Sequence, residues 1–353
     1  MSVSTPQHQE HAFTRLFGLE LAPMHIPLER RLQTAAAMHF IFMFFITPPL
    51  CLFIPIYIFF YTEYWYWVVL YLCWFYYDYD TPKRGGRTSE WLKSLQFWRY
   101  LRDYFPIELV KTAELDPNRN YIFGYHPHGL TSVGAFTNFA TNATDFQKLF
   151  PGIKAHLLTL VGQFWYPIRR EYILFFDVHE SSKEALTYLL SHPSKGHAAV
   201  IVIGGAAEAA DAQPGHFDLT LKRRKGFIKQ AIRNGADLVP VFSFGENDLF
   251  LQSKASPESV WRSIQMWVKH YAGIPPLVFH GRGIFNYTFG LLPYRRPIHT
   301  VVGKPIEVAQ CDDPTHEMVA DVHHKYIAGL EELFETNKAK YNVPQDAHLN
   351  IVC

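Results

Sequence analysis

The sequence has few cysteines, and none lies at a spacing typical of a cysteine-based site. Four cysteines occur in 353 residues, and no two of them form a C-x-x-C pair. Cys51 and Cys73 lie in an apolar stretch, whereas Cys311 and Cys353 stand apart near the end of the chain. The distribution indicates neither a disulfide framework nor a zinc knuckle, and it is typical of a reducing compartment.

An excess of charge of either sign is also lacking. The chain carries 33 Lys and Arg against 32 Asp and Glu, which leaves a formal net charge of +1. Such a chain has no overall field that would hold a polyanion. We therefore expect no nucleic acid partner, and any basic binding site has to be local.

Two common catalytic motifs are absent. The sequence contains no G-x-S-x-G, and the nearest segment, residues 129–134, has the wrong spacing. A serine hydrolase of the α/β type is therefore disfavoured. The sequence also lacks H-E-x-x-H, the helical zinc motif of metalloproteases.

Long uncharged runs are present near the beginning of the chain. Residues 35–61 and 64–77 contain no charged side chain and are separated by Glu63. The first run is long enough to cross a bilayer, and the second is short for a full span. Together with basic flanks on both sides, they predict a membrane-embedded hairpin or re-entrant pair at 34–78, after an N-terminal tail at 1–33. The alternative is a buried helical hairpin within a soluble domain.

The rest of the chain, residues 79–353, predicts one α/β domain with a mostly parallel sheet and helices on both faces. Continuous apolar strands alternate with helical patterns, which favours a sheet that is covered on both sides. The predicted strands are 121–125, 156–161, 172–178, 198–203, 238–244, 277–280 and 299–302, and the predicted helices are 132–141, 181–190, Gly226–Asn234, 258–271 and 315–338. Apolar residues at helical spacing in 91–101, among basic ones, predict a further helix that lies either on a membrane surface or in the core.

The segment His126-Pro127-His128-Gly129 ends the first buried strand and carries the strongest chemical signal. Imidazole transfers protons near neutral pH, and ligands of open α/β sheets bind beyond the carboxyl ends of strands. A general base is the favoured interpretation, with backbone amides near Gly129 as oxyanion donors. A structural role is one alternative. A metal site is the other, and it would need further ligands such as His299 or Asp177.

Three further motifs predict ligand contacts. Glu208 follows the Gly204-Gly205 pair beyond another strand, where a carboxylate could orient an imidazole or simply cap a helix. Arg224, Lys225 and Gly226 belong to a basic cluster at a helix start, which suits phosphate groups but is also typical of a solvated surface. The remaining candidates are Glu246 and Asn247 at the end of a strand, and Arg282, which lies between two glycines.

Together these motifs resemble the acyl-CoA-dependent acyltransferase family of type-2 diacylglycerol acyltransferases, monoacylglycerol acyltransferases and some wax synthases. Five segments carry the resemblance, in the right order and at plausible spacing: 104–106, 126–129, 204–208, 224–247 and 281–283, with 302–306 completing it. It extends from about Arg30 to the C-terminus.

The resemblance implies transfer of a fatty acyl group from acyl-CoA to diacylglycerol, at the cytosolic face of the endoplasmic reticulum or at the lipid droplet surface. For this reaction we favour His128 as the base, with Glu208 polarising it and His126 either assisting it or shaping the pocket. The wider superfamily usually has an aspartate five positions after its histidine, but Thr131 and Val133 stand there. Pro127, Gly129, Arg224, Lys225, Gly226, Glu246, Asn247 and Arg282 are the expected substrate contacts.

No metal or cofactor is expected, acyl-CoA being a co-substrate, and self-association stays open. Two alternatives remain for the activity within the family, because the acceptor can equally be a monoacylglycerol or a long-chain alcohol. Outside the family, the alternative is a membrane-anchored lipid-binding protein without catalysis.

Overall fold

The computed structural model describes residues 15–16, 19–23, 25–252, 260 and 278–353 of the chain. The predicted helix at 258–271 lies outside these residues, apart from residue 260. Within the described part, a seven-stranded sheet forms the centre of the fold.

The large sheet has the strand order β1–β7–β6–β2–β5–β3–β4. All neighbouring pairs are parallel except β6 and β7, which are antiparallel. The mostly parallel sheet predicted from the sequence is therefore confirmed. In chain order, its strands are Ile107–Lys111 (β1), Tyr121–His126 (β2), Lys154–Thr159 (β3), Val178–Glu180 (β4), His197–Val202 (β5), Asp237–Phe244 (β6) and Ile298–Val302 (β7).

The α-helices are numbered α1 to α12 in chain order. They are Leu28–Ile41, Thr47–Tyr61, Trp65–Tyr77, Glu90–Lys93, Gln96–Tyr104, Val133–Ala135, Phe146–Leu149, Arg169–Leu174, Lys183–Leu190, Gly205–Asp211, Gly226–Asn234 and His316–Asn337. Two π-helices, Phe42–Ile46 and Phe136–Ala140, continue α1 and α6.

Helices cover both faces of the sheet, and its central strands are therefore buried on both sides. Every residue of β2 and β6 is buried. Phe123 and Tyr125 of β2 pack with α1, α5 and α6 in one apolar cluster, whereas Ile122 packs with α9, α11 and α12 in the other. The alternation follows from the two-residue period of a strand. It places His126 on the same face as Ile122, toward α12.

Helix α5 resolves the two possibilities left open for the 91–101 segment. Its residues Trp98 and Leu101 are buried in the apolar core, whereas Trp91 of the preceding helix α4 is 73% exposed. The segment forms two short helices rather than one, and the second of them is a core helix.

Several predicted elements differ from the observed ones. The predicted strand 172–178 is wrong over most of its length, because α8 occupies its first half and β4 begins only at Val178. A short apolar run can form either element, and here Ile173 and Leu174 bury one helical face. Of the predicted strand 277–280, Phe279–His280 pairs antiparallel with Leu251–Gln252 outside the large sheet.

Six described strands had not been predicted, and three of them are the two-residue strands Arg15–Leu16, Leu19–Glu20 and Leu251–Gln252. β1 lies at the edge of the sheet, and its charged residues Glu108 and Lys111 conceal the apolar pattern. The other two, Asp218–Thr220 and Asn350–Val352, pair with each other in parallel and join the chain end to the segment before α11.

The N-terminal helices are partly packed on the core and partly exposed. Residues Leu28–Tyr61 form one helical stretch of 34 residues that is long and apolar enough to cross a membrane. Its first half contributes Phe40 and Ile41 to the core, but Phe53 and Phe60 in the second half are 63% and 70% exposed. After a short link, α3 exposes a further set of aromatic side chains, among them Trp67 at 62%.

Candidate active site

Three adjacent strands end at the same edge of the sheet and bring the predicted motifs together. β6, β2 and β5 are neighbours and run parallel. Their carboxyl ends therefore place His126 to Gly129, Gly204 to Glu208, and Glu246 with Asn247 at one edge. The carboxyl edge of parallel strands is the usual position of a ligand site in this architecture.

His126 is a buried ring with a tyrosine partner. It is 1% exposed, and its Nε2 lies 3.0 Å from the hydroxyl of Tyr326 in α12. The Tyr326 hydroxyl donates to the Gly124 carbonyl at 3.1 Å, so it accepts a hydrogen bond from His126. The Nδ1 atom of His126 is buried and has no partner among the described residues. Burial lowers the pKa of His126 to about 3, which keeps the ring neutral.

His128 is partly exposed and differs from His126 in its partners. Its Nδ1–H donates to the Gly129 carbonyl at 2.8 Å, with the Ser132 hydroxyl 3.3 Å away. The Ser132 hydroxyl itself donates to the His128 carbonyl at 2.9 Å. In this tautomer the lone pair of the His128 ring lies on Nε2. Burial lowers the pKa of His128 below its ordinary value, so the ring is a neutral proton acceptor at physiological pH.

Gly129 is required by the turn that follows His128. Its φ is +58°, and a Cβ atom built there would lie 2.9 Å from the Glu246 carbonyl oxygen. Only glycine fits a left-handed position so close to another backbone. The amides of Gly129, Leu130 and Thr131 have no acceptor in the part of the chain that the structure describes. These amides are therefore free to face a ligand.

Glu246 contacts the start of α6 rather than an open surface. It is 1% exposed, and its Oε2 accepts from the Tyr125 hydroxyl at 2.8 Å and from the Gly134 amide at 3.1 Å. Burial raises its pKa to about 7, although both hydrogen bonds oppose the shift. The first turn of α6 therefore faces a carboxyl group of the protein. Glu246, predicted as a substrate contact, lies behind the His126–Gly129 turn and connects β6 to α6.

Glu208 lies in α10 with its carboxyl group buried and unpaired. It is 4% exposed, and neither carboxyl oxygen has a hydrogen-bond partner among the described residues. Burial raises its pKa to about 8, while the backbone amide of His128 and the cation of Arg224 oppose the shift. Glu208 is therefore near both residues, but no hydrogen bond joins it to the His128 ring.

The basic cluster lies on the surface next to Glu208. Lys222, Arg223, Arg224, Lys225 and Gly226 are all exposed. Gly226 begins α11, whose N-terminal amides favour anions. Among the described residues, Arg224 and Lys225 form no ion pair, so their charges are available to a ligand.

A cavity of about 300 Å³ lies beside Pro127 and Asn247, two of the predicted substrate contacts. Asn247 donates from Nδ2 to the His216 carbonyl at 2.9 Å. Its lining also includes aromatic side chains, the basic Arg296, His299 and Lys340 and the acidic Asp248.

Arg282 is the predicted contact that the structure places apart from the others. It is 6% exposed, and its guanidinium lies 4.4 Å from the centre of the Tyr287 ring. Arg282 also lies near Tyr104, whose pKa its charge acts to lower against burial. Among the described residues, no hydrogen bond, ion pair or ring contact joins Arg282 to His128 or Glu208.

The residues considered for a metal at His126 and His128 have other partners. His299 Nδ1 lies 3.0 Å from Glu108, and Asp177 contacts His156 and His179. Neither contacts the two rings of the His126–Gly129 turn.

Sequence reasoning did not find three side chains of this site. The sequence indicates Tyr326 only as part of the predicted helix 315–338, and Tyr125 only as part of the predicted strand 121–125. Ser132 follows His128 by four residues, and this spacing is the one local signal of their contact. Nothing in the sequence indicates the Tyr326 contact, because 200 residues separate the two partners.

Comparison with known proteins gives consistent matches. The family model described as "Diacylglycerol acyltransferase" matches residues 57–352. The 2-acylglycerol O-acyltransferase 1 of Bos taurus is 48% identical over 332 residues, covering 94% of this chain and 98% of that protein. The diacylglycerol O-acyltransferase 2 of Homo sapiens is 44% identical over 325 residues, covering 92% of this chain and 84% of that protein.

A solved structure also aligns with the chain. The crystal structure of the 1-acyl-sn-glycerophosphate acyltransferase from Thermotoga maritima covers 87% of this chain and 99% of its own, with a TM-score of 0.37 and 13% identity. At that TM-score the likeness carries no argument.

Proposed function

The chain belongs to the diacylglycerol acyltransferase family, and from this premise we propose that it transfers a fatty acyl group from acyl-CoA to diacylglycerol, giving triacylglycerol. The observation that carries the assignment to this site is the pair formed by His128 and the Gly129 carbonyl, which leaves Nε2 as a neutral base at a strand end. Family membership supplies the substrate class. The geometry supports the role of each residue.

The proposed reaction is a direct attack without an acyl-enzyme. His128 Nε2 takes the proton of the acceptor hydroxyl as its oxygen attacks the thioester carbonyl. A carbon–oxygen bond forms, the carbon–sulfur bond breaks, and the imidazolium returns the proton to the CoA sulfur. The Gly129 carbonyl orients the ring by accepting from Nδ1 throughout.

The oxyanion is assigned to the turn after His128. The amides of Gly129, Leu130 and Thr131 are without an acceptor among the described residues, whereas the Gly134 amide is occupied by Glu246. We assign the oxyanion to the amides of Gly129, Leu130 and Thr131, in line with the sequence-based prediction of amides near Gly129. Glu246 then acts as a positioning residue that holds α6 behind the turn.

Glu208 is proposed to stabilise the His128 imidazolium as a carboxylate. It has to lose its proton to do so, and its pKa of about 8 means that much of it is neutral at pH 7. Its proximity to the His128 backbone and to Arg224 supports the assignment. His126 shapes the pocket through its contact with Tyr326 and is too buried to meet a substrate directly.

Acyl-CoA is assigned to the surface around Arg224, Lys225 and Gly226. Its phosphates would meet exposed cations and the N-terminus of α11, close to the Glu208 side of the site. The cavity beside Pro127 and Asn247 is the second candidate binding volume near His128.

Membrane association is proposed through α2 and α3. Large apolar side chains along both helices are exposed, and the stretch Leu28–Tyr61 meets the length and composition of a membrane span. We infer that α2 and α3 form the membrane-embedded hairpin, with the 79–353 domain on the cytosolic face of the endoplasmic reticulum and with access to lipid droplets.

The activity is tested in microsomes from cells that lack their own neutral-lipid synthesis. Labelled acyl-CoA is supplied with diacylglycerol, monoacylglycerol or a long-chain alcohol, and the products are separated. Triacylglycerol as the main product is expected. A preference for monoacylglycerol or alcohol would reassign the acceptor, and no transfer to any of the three would support a non-catalytic lipid-binding protein.

A further inference from the structure

A second group of polar side chains lies inside the domain, away from the active site. His156 is in β3, Asp177 directly precedes β4, and His179 is in β4. We call these three residues the His–Asp cluster. His156 is level with Ala199 of β5 and thus with Ile122 of β2. It is therefore four residues, or about 13 Å along the strands, from His126, and two strands to the side.

The three side chains of the His–Asp cluster converge on one point. His156 Nδ1 lies 3.0 Å from Asp177 Oδ1, and His179 Nε2 lies 2.7 Å from the same oxygen. The three ligand atoms all lie within 4.8 Å of one another, and all three residues are buried. A buried carboxylate is costly unless it is paired and hydrogen-bonded, and the two imidazoles supply those partners for Asp177.

One ligand of the cluster has a hydrogen-bonded outer partner. His156 Nε2 lies 2.9 Å from His197 Nδ1, and His197 Nε2 lies 2.9 Å from the Ser194 hydroxyl. Such a partner fixes the tautomer of a metal-binding histidine, whereas His179 Nδ1 is buried and has no partner among the described residues. The second oxygen of Asp177 faces Lys93 Nζ at 3.8 Å, which leaves Oδ1 for a cation.

The spacing of the donor atoms is close to that of bound ligands. Three atoms at about 2.0 Å from a tetrahedral zinc ion lie about 3.3 Å apart. The two observed nitrogen–oxygen separations, 3.0 and 2.7 Å, need to widen by a few tenths of an ångström. Rotation of the side chains about their terminal bonds is enough for such a change.

We propose that His156, Asp177 and His179 bind a structural Zn²⁺ ion. Two imidazoles and one carboxylate select a transition metal over Mg²⁺ or Ca²⁺, which prefer oxygen ligands alone. Because the ligands are buried and lie in or beside β3 and β4, two and three strands from β2, the ion holds β3 and β4 together and takes no part in acyl transfer.

The experiment measures bound metal in the full-length protein, purified in detergent without a histidine tag and with no metal added. Elemental analysis is expected to find about one zinc per wild-type chain and less than a tenth of that in Asp177→Asn and His156→Ala. His316→Ala, which removes an exposed histidine elsewhere, is the matched control and should keep its zinc.

A second measurement holds even where the variants fail to fold. Removing zinc from the wild type with a strong chelator should lower its thermal unfolding midpoint by several degrees, and Zn²⁺ but not Mg²⁺ should restore it. A wild-type protein without bound zinc, whose midpoint responds neither to chelator nor to zinc, would overturn the proposal and leave a hydrogen-bonded cluster.

Discussion

His128 is the residue on which the proposed chemistry depends. Its Nδ1 is held by the Gly129 carbonyl, whereas His126 is bonded to Tyr326 and almost completely buried. The two rings of one short motif therefore have different surroundings. This difference supports His128 as the base.

Replacing His128 by alanine should remove acyl transfer almost completely. General base catalysis contributes roughly 10²- to 10⁴-fold to a rate, so the rate of acyl transfer by His128→Ala should fall by about that factor. The protein should stay folded and membrane-bound. Initial rates with diacylglycerol and labelled acyl-CoA measure the loss. His316→Ala is the control with unchanged rate, and wild-type activity in His128→Ala would remove this residue from the mechanism.

The acidity of Glu208 should be visible in the pH dependence of the rate. The pKa of His128 is below its ordinary value, so a rise in kcat between pH 7 and pH 9 cannot come from that ring. The rise in kcat is expected from Glu208, whose pKa is about 8 and whose carboxylate form is the active one in our proposal.

A pH–rate profile of the wild type and of Glu208→Gln tests this assignment. The variant should be at least 10-fold slower at pH 8.5, with a flat profile from pH 7 to pH 9. A Glu208→Gln enzyme that keeps the wild-type rise would show that another group titrates.

At the scale of elements, Glu246 connects β6 to α6 and should make stability pH-dependent. Its pKa is raised from 4.5 to about 7 in the fold. The native state therefore holds the proton more tightly than the unfolded chain, and this contribution to stability is complete below about pH 4.5. As the pH rises toward 7 this contribution is lost, and the free energy of unfolding falls by about 3 kcal/mol.

The thermal unfolding midpoint of Glu246→Gln, compared with that of the wild type from pH 5 to pH 8, tests this linkage. Glutamine stays neutral, so the difference between the two proteins should shift in favour of the variant as the pH rises. Glu246→Ala is the contrasting variant, because it loses both hydrogen bonds and should be destabilised by about 2 to 4 kcal/mol at pH 5. A constant difference between wild type and Glu246→Gln would contradict the raised pKa.

The start of α11 is the second element with a distinct role. Replacing Arg224 and Lys225 together by alanine should raise KM for acyl-CoA about 10-fold or more and leave KM for diacylglycerol unchanged, because only the former carries phosphates. The double variant of the exposed Lys183 and Lys195 is the charge-matched control. An unchanged KM for acyl-CoA in the Arg224 and Lys225 variant would move the CoA site elsewhere.

At the scale of the whole molecule, an α/β domain is joined to helices whose exposed side chains are apolar. Such a surface is unfavourable in water, since exposed patches of this size normally meet a membrane or a partner. Pro48 and Pro49 of α2 are accommodated because they lie in its first turn, directly after the π-helix, whereas Pro55 lies inside the helix.

Charged substitutions on these helices should weaken membrane association. Phe60→Asp combined with Trp67→Asp places two carboxylates where we infer the bilayer core, at a cost of several kcal/mol. The alkali-resistant membrane fraction should fall severalfold in this variant. Tyr188→Asp with Met318→Asp, on the exposed surface of the domain, is the control. Unchanged resistance in the first variant would favour a different anchoring surface.

Local sequence patterns determined most elements of the fold. Continuous apolar runs identified β2, β5 and β6, because strands buried on both faces must be apolar throughout. The Gly226–Asn234 helix was predicted with these bounds, since Gly226 begins it, Gly235 follows it as the cap and its apolar period is regular. The edge strand β1 was missed because exposure allows charged residues there.

The sequence by itself also determined the family and the motifs of the site, because these motifs are contiguous and carry their chemistry in residue type and spacing. Only the tertiary structure decided which partner each side chain has. Tyr326 on His126 and Glu246 on α6 are contacts between segments far apart in the chain, and Asp177 meets His156 from the neighbouring strand. Such contacts depend on the order of strands in the sheet, which no local pattern encodes.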